Sequence, residues 1–111
     1  MDGETFSKLI DARFRKCRSV LDTKNKEYTR EEDKLYNFKR AAEMLGANPE
    51  EALLGMATKH FVSVFDLAKD VDRLDDIEPG YVDEKIGDAI NYLLLLEALL
   101  VERYGWEVYD E

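Results

Sequence analysis

Apolar residues recur along this chain at intervals of three and four. From Phe6 they fall at Leu9, Ile10, Phe14, Cys17, Val20 and Leu21, the period of one face of an α-helix. Arg13, Arg15, Lys16 and Arg18 lie mostly between them, so a first helix is expected over residues 5–24. Asn25-Lys26-Glu27-Tyr28 breaks the pattern. A second helix is expected from Thr29, because Thr29-Arg30-Glu31-Glu32 has the form of a capping box, in which the threonine and the glutamate three positions on satisfy each other's backbone amides. It continues through Leu35, Phe38, Ala41, Ala42 and Leu45 to Gly46, a residue suited to the left-handed conformation that closes a helix.

Asn48-Pro49-Glu50-Glu51 is a further start signal. Asn48 can cap, Pro49 is tolerated in the first turn, and two glutamates oppose the positive end of the helix dipole. The third helix then carries Leu53, Met56, Ala57, His60, Phe61, Val64, Leu67, Ala68, Val71 and Leu74, about seven turns. Residues 75–80 read as a turn. A fourth helix opens near Val82 and ends at Arg103 or Tyr104, before Gly105. No strand-like alternation survives anywhere. The expected fold is all-α, a four-helix bundle-like single domain over residues 1–111.

The fourth helix changes the picture in one respect. Its middle, Ala89 to Val101, is apolar except for Asn91 and Glu97. That run is too short and too interrupted to span a membrane, which takes about 20 residues. A helix apolar on most sides is covered on most sides, so a homodimer or higher homo-oligomer is expected. The alternative is that the other three helices wrap it within one chain. The tail Trp106-Glu107-Val108-Tyr109 either packs back or joins such an interface.

Composition narrows the function classes. The chain has 111 residues, 45% of them hydrophobic, with two prolines and six glycines, which fits one folded domain rather than a disordered or loop-rich chain. The net charge of −9 argues against a protein that coats duplex DNA or RNA. The charge is uneven: residues 1–45 hold 11 basic and 9 acidic side chains, and residues 46–111 hold 5 and 16. One segment can meet an anion while the other holds cations, or the acids form a solvated surface. The single Cys17 fits a reducing cytoplasm. The start MDGETFSKL lacks the basic stretch and apolar core of a secretory signal.

The candidate chemistry sits on the last two helices. Glu84 and Asp88 are four apart and share a face, and Asn91 continues it one turn later among leucines. Two carboxylates on one stripe suit a hard cation such as magnesium or manganese, which takes oxygen ligands and substrate phosphates. First-turn acids that complement the helix dipole are the plainer reading of Glu84, but they do not account for Asn91. On the third helix, His60 lies on the apolar face beside a polar stripe of Lys59, Ser63, Asp66 and Asp70. If these two helices are antiparallel neighbours, His60 to Asp66 approach Glu84 to Asn91. Elsewhere, in Lys24-Asn25-Lys26-Glu27-Tyr28 and Asp33-Lys34-Leu35-Tyr36-Asn37-Phe38-Lys39-Arg40, the lysines and arginine can meet phosphates while Tyr28, Tyr36 or Phe38 stack on a base, or Leu35 and Phe38 are core and the lysines surface. Cys17, inside the apolar series, reads as an inert buried thiol.

Four segments carry a resemblance that covers roughly residues 20 to 100. They are Lys24-Asn25-x-Glu27-Tyr28, Asp33-x-Leu35-x-Asn37-Phe38, Gly55-Met56-x-x-Lys59-His60-x-x-Ser63 and Glu84-Lys85-Ile86-Gly87-Asp88-Ala89-Ile90-Asn91-Tyr92. Together they resemble a family of small tailed-bacteriophage proteins of the nucleotide-modification-associated type. More remotely, the Glu-x-x-Gly-Asp helix opening is similar to MazG-like all-α nucleoside triphosphate pyrophosphatases. That likeness implies a magnesium- or manganese-dependent enzyme that cleaves an NTP or dNTP to the monophosphate and pyrophosphate, usually as a dimer or tetramer. It implies Glu84 and Asp88 as metal ligands, and Asp66 or Glu27 completing the shell or orienting the attacking water. Lys24, Lys26, Tyr28, Asn37, Lys59, His60, Asn91 and Tyr92 would face the nucleotide. The chain departs from the pattern in two places. The acids are four apart where the family more often has three, with Lys85 at the nearer position, and no Glu-x-x-Glu helix matches the first acidic motif.

Two readings compete with the enzyme. One is a non-catalytic phage protein that binds a host protein or a nucleotide, as an inhibitor or accessory factor. The other is purely structural: Asn91 and His60 satisfy one another in the core.

Overall fold

The computed structural model describes the backbone of residues 1–28 and 33–108, and the side chains of residues 1–23 and 33–108. It is all-helical, with α1 over Gly3–Tyr28, α2 over Tyr36–Leu45, α3 over Pro49–Arg73 and α4 over Pro79–Tyr104. No strand occurs among the described residues, as the sequence period predicts. The helices form a row in which α4 lies between α1 and α3, and α2 packs on α3.

The start signals on α3 work as expected. Asn48 Oδ1 accepts the Glu51 amide at 2.8 Å, and the Asn48 amide donates back to the Glu51 carboxylate at 3.4 Å. Gly46 and Gly105 end α2 and α4 with φ of 68° and 65°, which a side chain would oppose. Three boundaries differ from the expectation. The α1 backbone stays helical through Asn25-Lys26-Glu27-Tyr28: no glycine or proline stands there, and residues of ordinary propensity prolong a helix already formed. Pro79 and Gly80 belong to α4 rather than to the turn before it, since a proline in the first turn gives up only an amide that has no helical partner. The proposed Thr29–Glu32 capping box lies outside the described residues. α2 itself begins only at Tyr36, where Asp33 Oδ1 accepts the Leu35 amide at 2.9 Å. Leu35 precedes the helix and fills the core with Leu53 and Leu99.

Ion pairs fix the ends of the row. Arg103 of α4 donates from Nε and Nη2 to the two oxygens of Glu50 in α3, at 2.7 Å each. Lys39 of α2 reaches both Asp33 and Glu102. At the other end, Arg13 of α1 lies over Gly87 of α4. Its Nη2 is 2.8 Å from Asp83 Oδ1, its Nη1 donates to the Asp83 carbonyl at 3.3 Å, and Lys16 joins the same carboxylate at 3.2 Å. A Cβ on Gly87 would stand 3.1 Å from Arg13 Nη1, so a glycine is what lets the guanidinium lie this close. Beside it, Cys17 is buried and free, as its place in the apolar series predicts.

α4 is less enclosed than its composition suggests. Leu99, Asn91 and Gly87 are buried, but Leu93 is half exposed, and Ile86, Ile90 and Leu94 are only partly covered. After α4, Trp106 stacks on Tyr104 with ring centroids 5.1 Å apart and stays largely exposed. No helix among the described residues is long and apolar enough to cross a membrane.

The bidentate Arg103 contact holds the Glu50 carboxyl below its ordinary value of 4.5. A carboxyl with a depressed folded-state pKa stabilises the fold above its unfolded pKa, and that contribution fades as pH falls through the folded value. Arg103→Met is therefore expected to lower the denaturation midpoint at neutral pH. It is also expected to flatten the acid limb of the stability curve below about pH 4.5, as urea unfolding across a pH series will show.

Candidate functional site

A cavity of about 580 Å³ opens where α1, the start of α2, α3 and α4 converge. Its size falls within the usual range for small-molecule sites. Val20 and Leu21 of α1, Phe38 of α2, Met56 of α3 and Leu95 of α4 give it apolar walls. The polar groups along it are Lys34, Asn37, Lys59, Asp88, Asn91 and Tyr92. Gly55 lies on the wall, and an added Cβ there would meet no atom within 4 Å.

The helical register explains this convergence. Asp88, Asn91, Tyr92 and Leu95 are three, four and seven apart on α4 and so share one face. Met56 and Lys59 are three apart on α3, which packs closely along α4. As anticipated for antiparallel neighbours, His60 approaches the acidic stripe: its Nδ1 is 3.4 Å from Asp88 Oδ2. The imidazole also stacks on Tyr92, with centroids 4.9 Å apart and planes inclined by 28°. His60 therefore stands behind the wall, orienting an acid and a ring that do line the cavity.

Asn91 is the most informative member. It is 6% exposed, the one buried polar residue among those described, and its Oδ1 has no hydrogen-bond partner among them. The structural reading in which Asn91 and His60 satisfy each other does not hold, because His60 turns to Asp88 and Tyr92. An unpaired buried amide oxygen costs about 1–3 kcal/mol, and such groups are uncommon enough to need a reason. Here the amide lies on a cavity wall.

Electrostatically the cavity differs from its surroundings. Lys34 and Lys59 line it with no ion-pair partner among the described residues, against the single carboxylate of Asp88. In a chain of net charge −9, the described residues of this lining carry a net positive charge.

Of the sequence-derived candidates, the structure thus gathers Asn37, Lys59, Asp88, Asn91 and Tyr92 on one cavity, with His60 in contact from behind. Glu84 is elsewhere: its side chain is 64% exposed, 3.9 Å from Lys85, and off the cavity wall. Asp66 is exposed on α3 and also off the wall. The side chains of Lys24, Lys26, Glu27 and Tyr28 lie outside the described residues. No three His, Cys, Asp or Glu side chains among those described come together in a way that could hold a metal ion. The residues that sequence reasoning left out are mostly the apolar wall, namely Val20, Leu21, Met56 and Leu95, which helical spacing cannot tell from core. Lys34, one of the lysines that the sequence offers to phosphates, is on the lining. No protein-family profile, curated protein or solved structure matches the chain.

If Asn91 faces the cavity to meet a ligand, its amide is a burden to the free protein. Asn91→Leu, close in size and free of the orphaned oxygen, is expected to raise the unfolding free energy by about 1–2 kcal/mol, read from urea denaturation. A side chain that serves the fold would lose stability on the same substitution.

Proposed function

We propose that the protein binds a nucleotide in the cavity among its four helices. The observation that carries this reading is the buried Asn91 amide, whose oxygen has no partner among the described residues, on an apolar cavity that also presents two lysines without an ion-pair partner among those residues. An amide offers one acceptor and a paired donor, the complement of the polar edge of a nucleobase. Tyr92 and Phe38 supply aromatic surface on which a base can stack. Tyr92 is held for that role by the His60 ring. Lys34 and Lys59 meet phosphate charge, and Asn37 adds a second amide. Apolar walls strengthen each of these contacts by excluding water.

The reading agrees with the resemblance to nucleotide-modification-associated phage proteins, and it favours binding over cleavage. Among the described residues the cavity has one carboxylate, already shared with His60, a thin donor set for magnesium or manganese, which hydrolytic sites hold through several oxygens. Pyrophosphate release would need Glu84 or Glu27 to join Asp88 on one ion. A bound metal would then supply Lewis-acid polarisation of the phosphate.

Calorimetric titration with each common NTP and dNTP, with magnesium, manganese or chelator, tests the proposal. Saturable binding is expected, weakened about tenfold or more in Asn91→Leu and weakened in Lys59→Ala with a shallower salt dependence. Chromatography of the same mixtures reports cleavage: monophosphate and pyrophosphate appearing only with metal would add hydrolysis to binding. The absence of binding by every nucleotide would refute the proposal.

A further inference from the structure

The α4 wall of the cavity offers hydrogen-bond acceptors. Asp88 and Asn91 are three apart on α4 and both line the cavity. A carboxylate only accepts, at about four lone-pair positions. The ion-pair partner of Asp88 among the described residues is His60, 3.4 Å from Oδ2, so much of that acceptor capacity stays open. One turn on, Asn91 Oδ1 is buried and has no hydrogen-bond partner among the described residues. The cations of the lining come from other elements, Lys34 from just before α2 and Lys59 from α3. This separation gives a bound nucleotide a direction. Phosphate is repelled by the Asp88 carboxylate and attracted by the lysines, so the end that meets α4 is the neutral one, the base. That end needs donors, because the open groups facing it accept.

We propose that the base is guanine, an inference that rests on the reading of the cavity as a nucleotide site. Guanine is the common base that sets two kinds of N–H donor side by side, N1–H and the N2 amino group, in the fork that a carboxylate accepts. Asp88 takes N1–H and one N2 hydrogen, and Asn91 Oδ1 takes the other. O6, the acceptor next to N1, is left to a donor such as the Asn37 amide on the same lining. The other bases meet this wall badly. Adenine and cytosine place one amino group beside a bare ring nitrogen, whose lone pair opposes a carboxylate. Uracil and thymine place one N–H between two carbonyls. Each leaves acceptor facing acceptor, and a buried polar group left unanswered discriminates strongly between ligands. His60 gains a definite role in this arrangement. From behind the wall it steadies the Asp88 carboxylate, and its ring stacks on Tyr92, the aromatic surface offered to the base.

Calorimetric titration of the natural chain with GTP, ITP, ATP, CTP and UTP, each in magnesium and in chelator, tests this. Inosine differs from guanosine by the N2 amino group alone. GTP is expected to bind about tenfold or more tightly than any of the others, ITP included. A second arm compares GTP with XTP on Asp88→Asn. An amide in place of the carboxylate accepts N1–H and donates to the 2-carbonyl of xanthine, so the preference is expected to pass from guanine to xanthine, a reversal that a merely destabilised variant does not give. If the variant does not fold, the ranking of GTP against ITP by the natural chain decides. ITP, or any of the other three, binding the natural chain as tightly as GTP overturns the guanine assignment and leaves nucleotide binding standing. So does an Asp88→Asn protein that keeps the natural chain's preference for GTP over XTP. Binding by none of the nucleotides refutes the nucleotide reading itself, and guanine with it.

Discussion

A guanidinium laid across a glycine holds α1 to the rest of the molecule. Arg13 reaches over Gly87 and closes on Asp83 with both a side-chain and a backbone contact. The same carboxylate takes Lys16, and its pKa is held below the ordinary range by these two cations, Lys16 first. What this contact fixes is a spacing. Two turns further on, Val20 and Leu21 stand across from Asn91 with open volume between them rather than interlocked side chains. A tight core would have closed that volume, because protein interiors pack to near-crystalline density. The cavity is thus a product of how α1 is hung, and α4 is the helix from which it hangs.

The polar content of the cavity follows from α4 having two duties. Toward Leu35 and Leu53 it presents Leu99, with Tyr92, Leu95 and Leu96 packed nearby, and completes the hydrophobic core. Toward α1 and α3 it presents Asp88 and Asn91, groups that cost stability unless something answers them. His60 answers Asp88. No described residue answers the Asn91 oxygen, and the proposed ligand contact rests on that asymmetry.

Much of this was legible in the sequence, for identifiable reasons. The start of α3 could be read because Asn48, Pro49 and Glu51 each satisfy a backbone requirement that few residues meet. The ends of α2 and α4 could be read because Gly46 and Gly105 adopt a backbone conformation that favours glycine. Asp88, Asn91 and Tyr92 stood out as polar or aromatic positions on one stripe of a greasy helix. Other features were hidden because they depend on where helices end relative to one another. Spacing put Glu84 on the same stripe as Asp88, but while Asp83 beside it turns to α1, Glu84 stays 64% exposed and off the cavity wall. The apolar stripe of α1 reads as one continuous buried face. Only the packing of α1 on α4 divides it into a bare part, a packed part and a cavity wall.

The claim at the centre of this account is that the Asn91 amide receives a ligand. Nuclear magnetic resonance of the Asn91 side-chain amide, assigned by its loss in Asn91→Leu, tests this most directly. The account predicts that a saturating nucleotide moves the Asn91 Nδ2 signals strongly, while inorganic phosphate at the same ionic strength leaves them in place and perturbs only the lysine side of the cavity. Asn91 signals unmoved by any nucleotide, in a protein whose other resonances shift on binding, would contradict it.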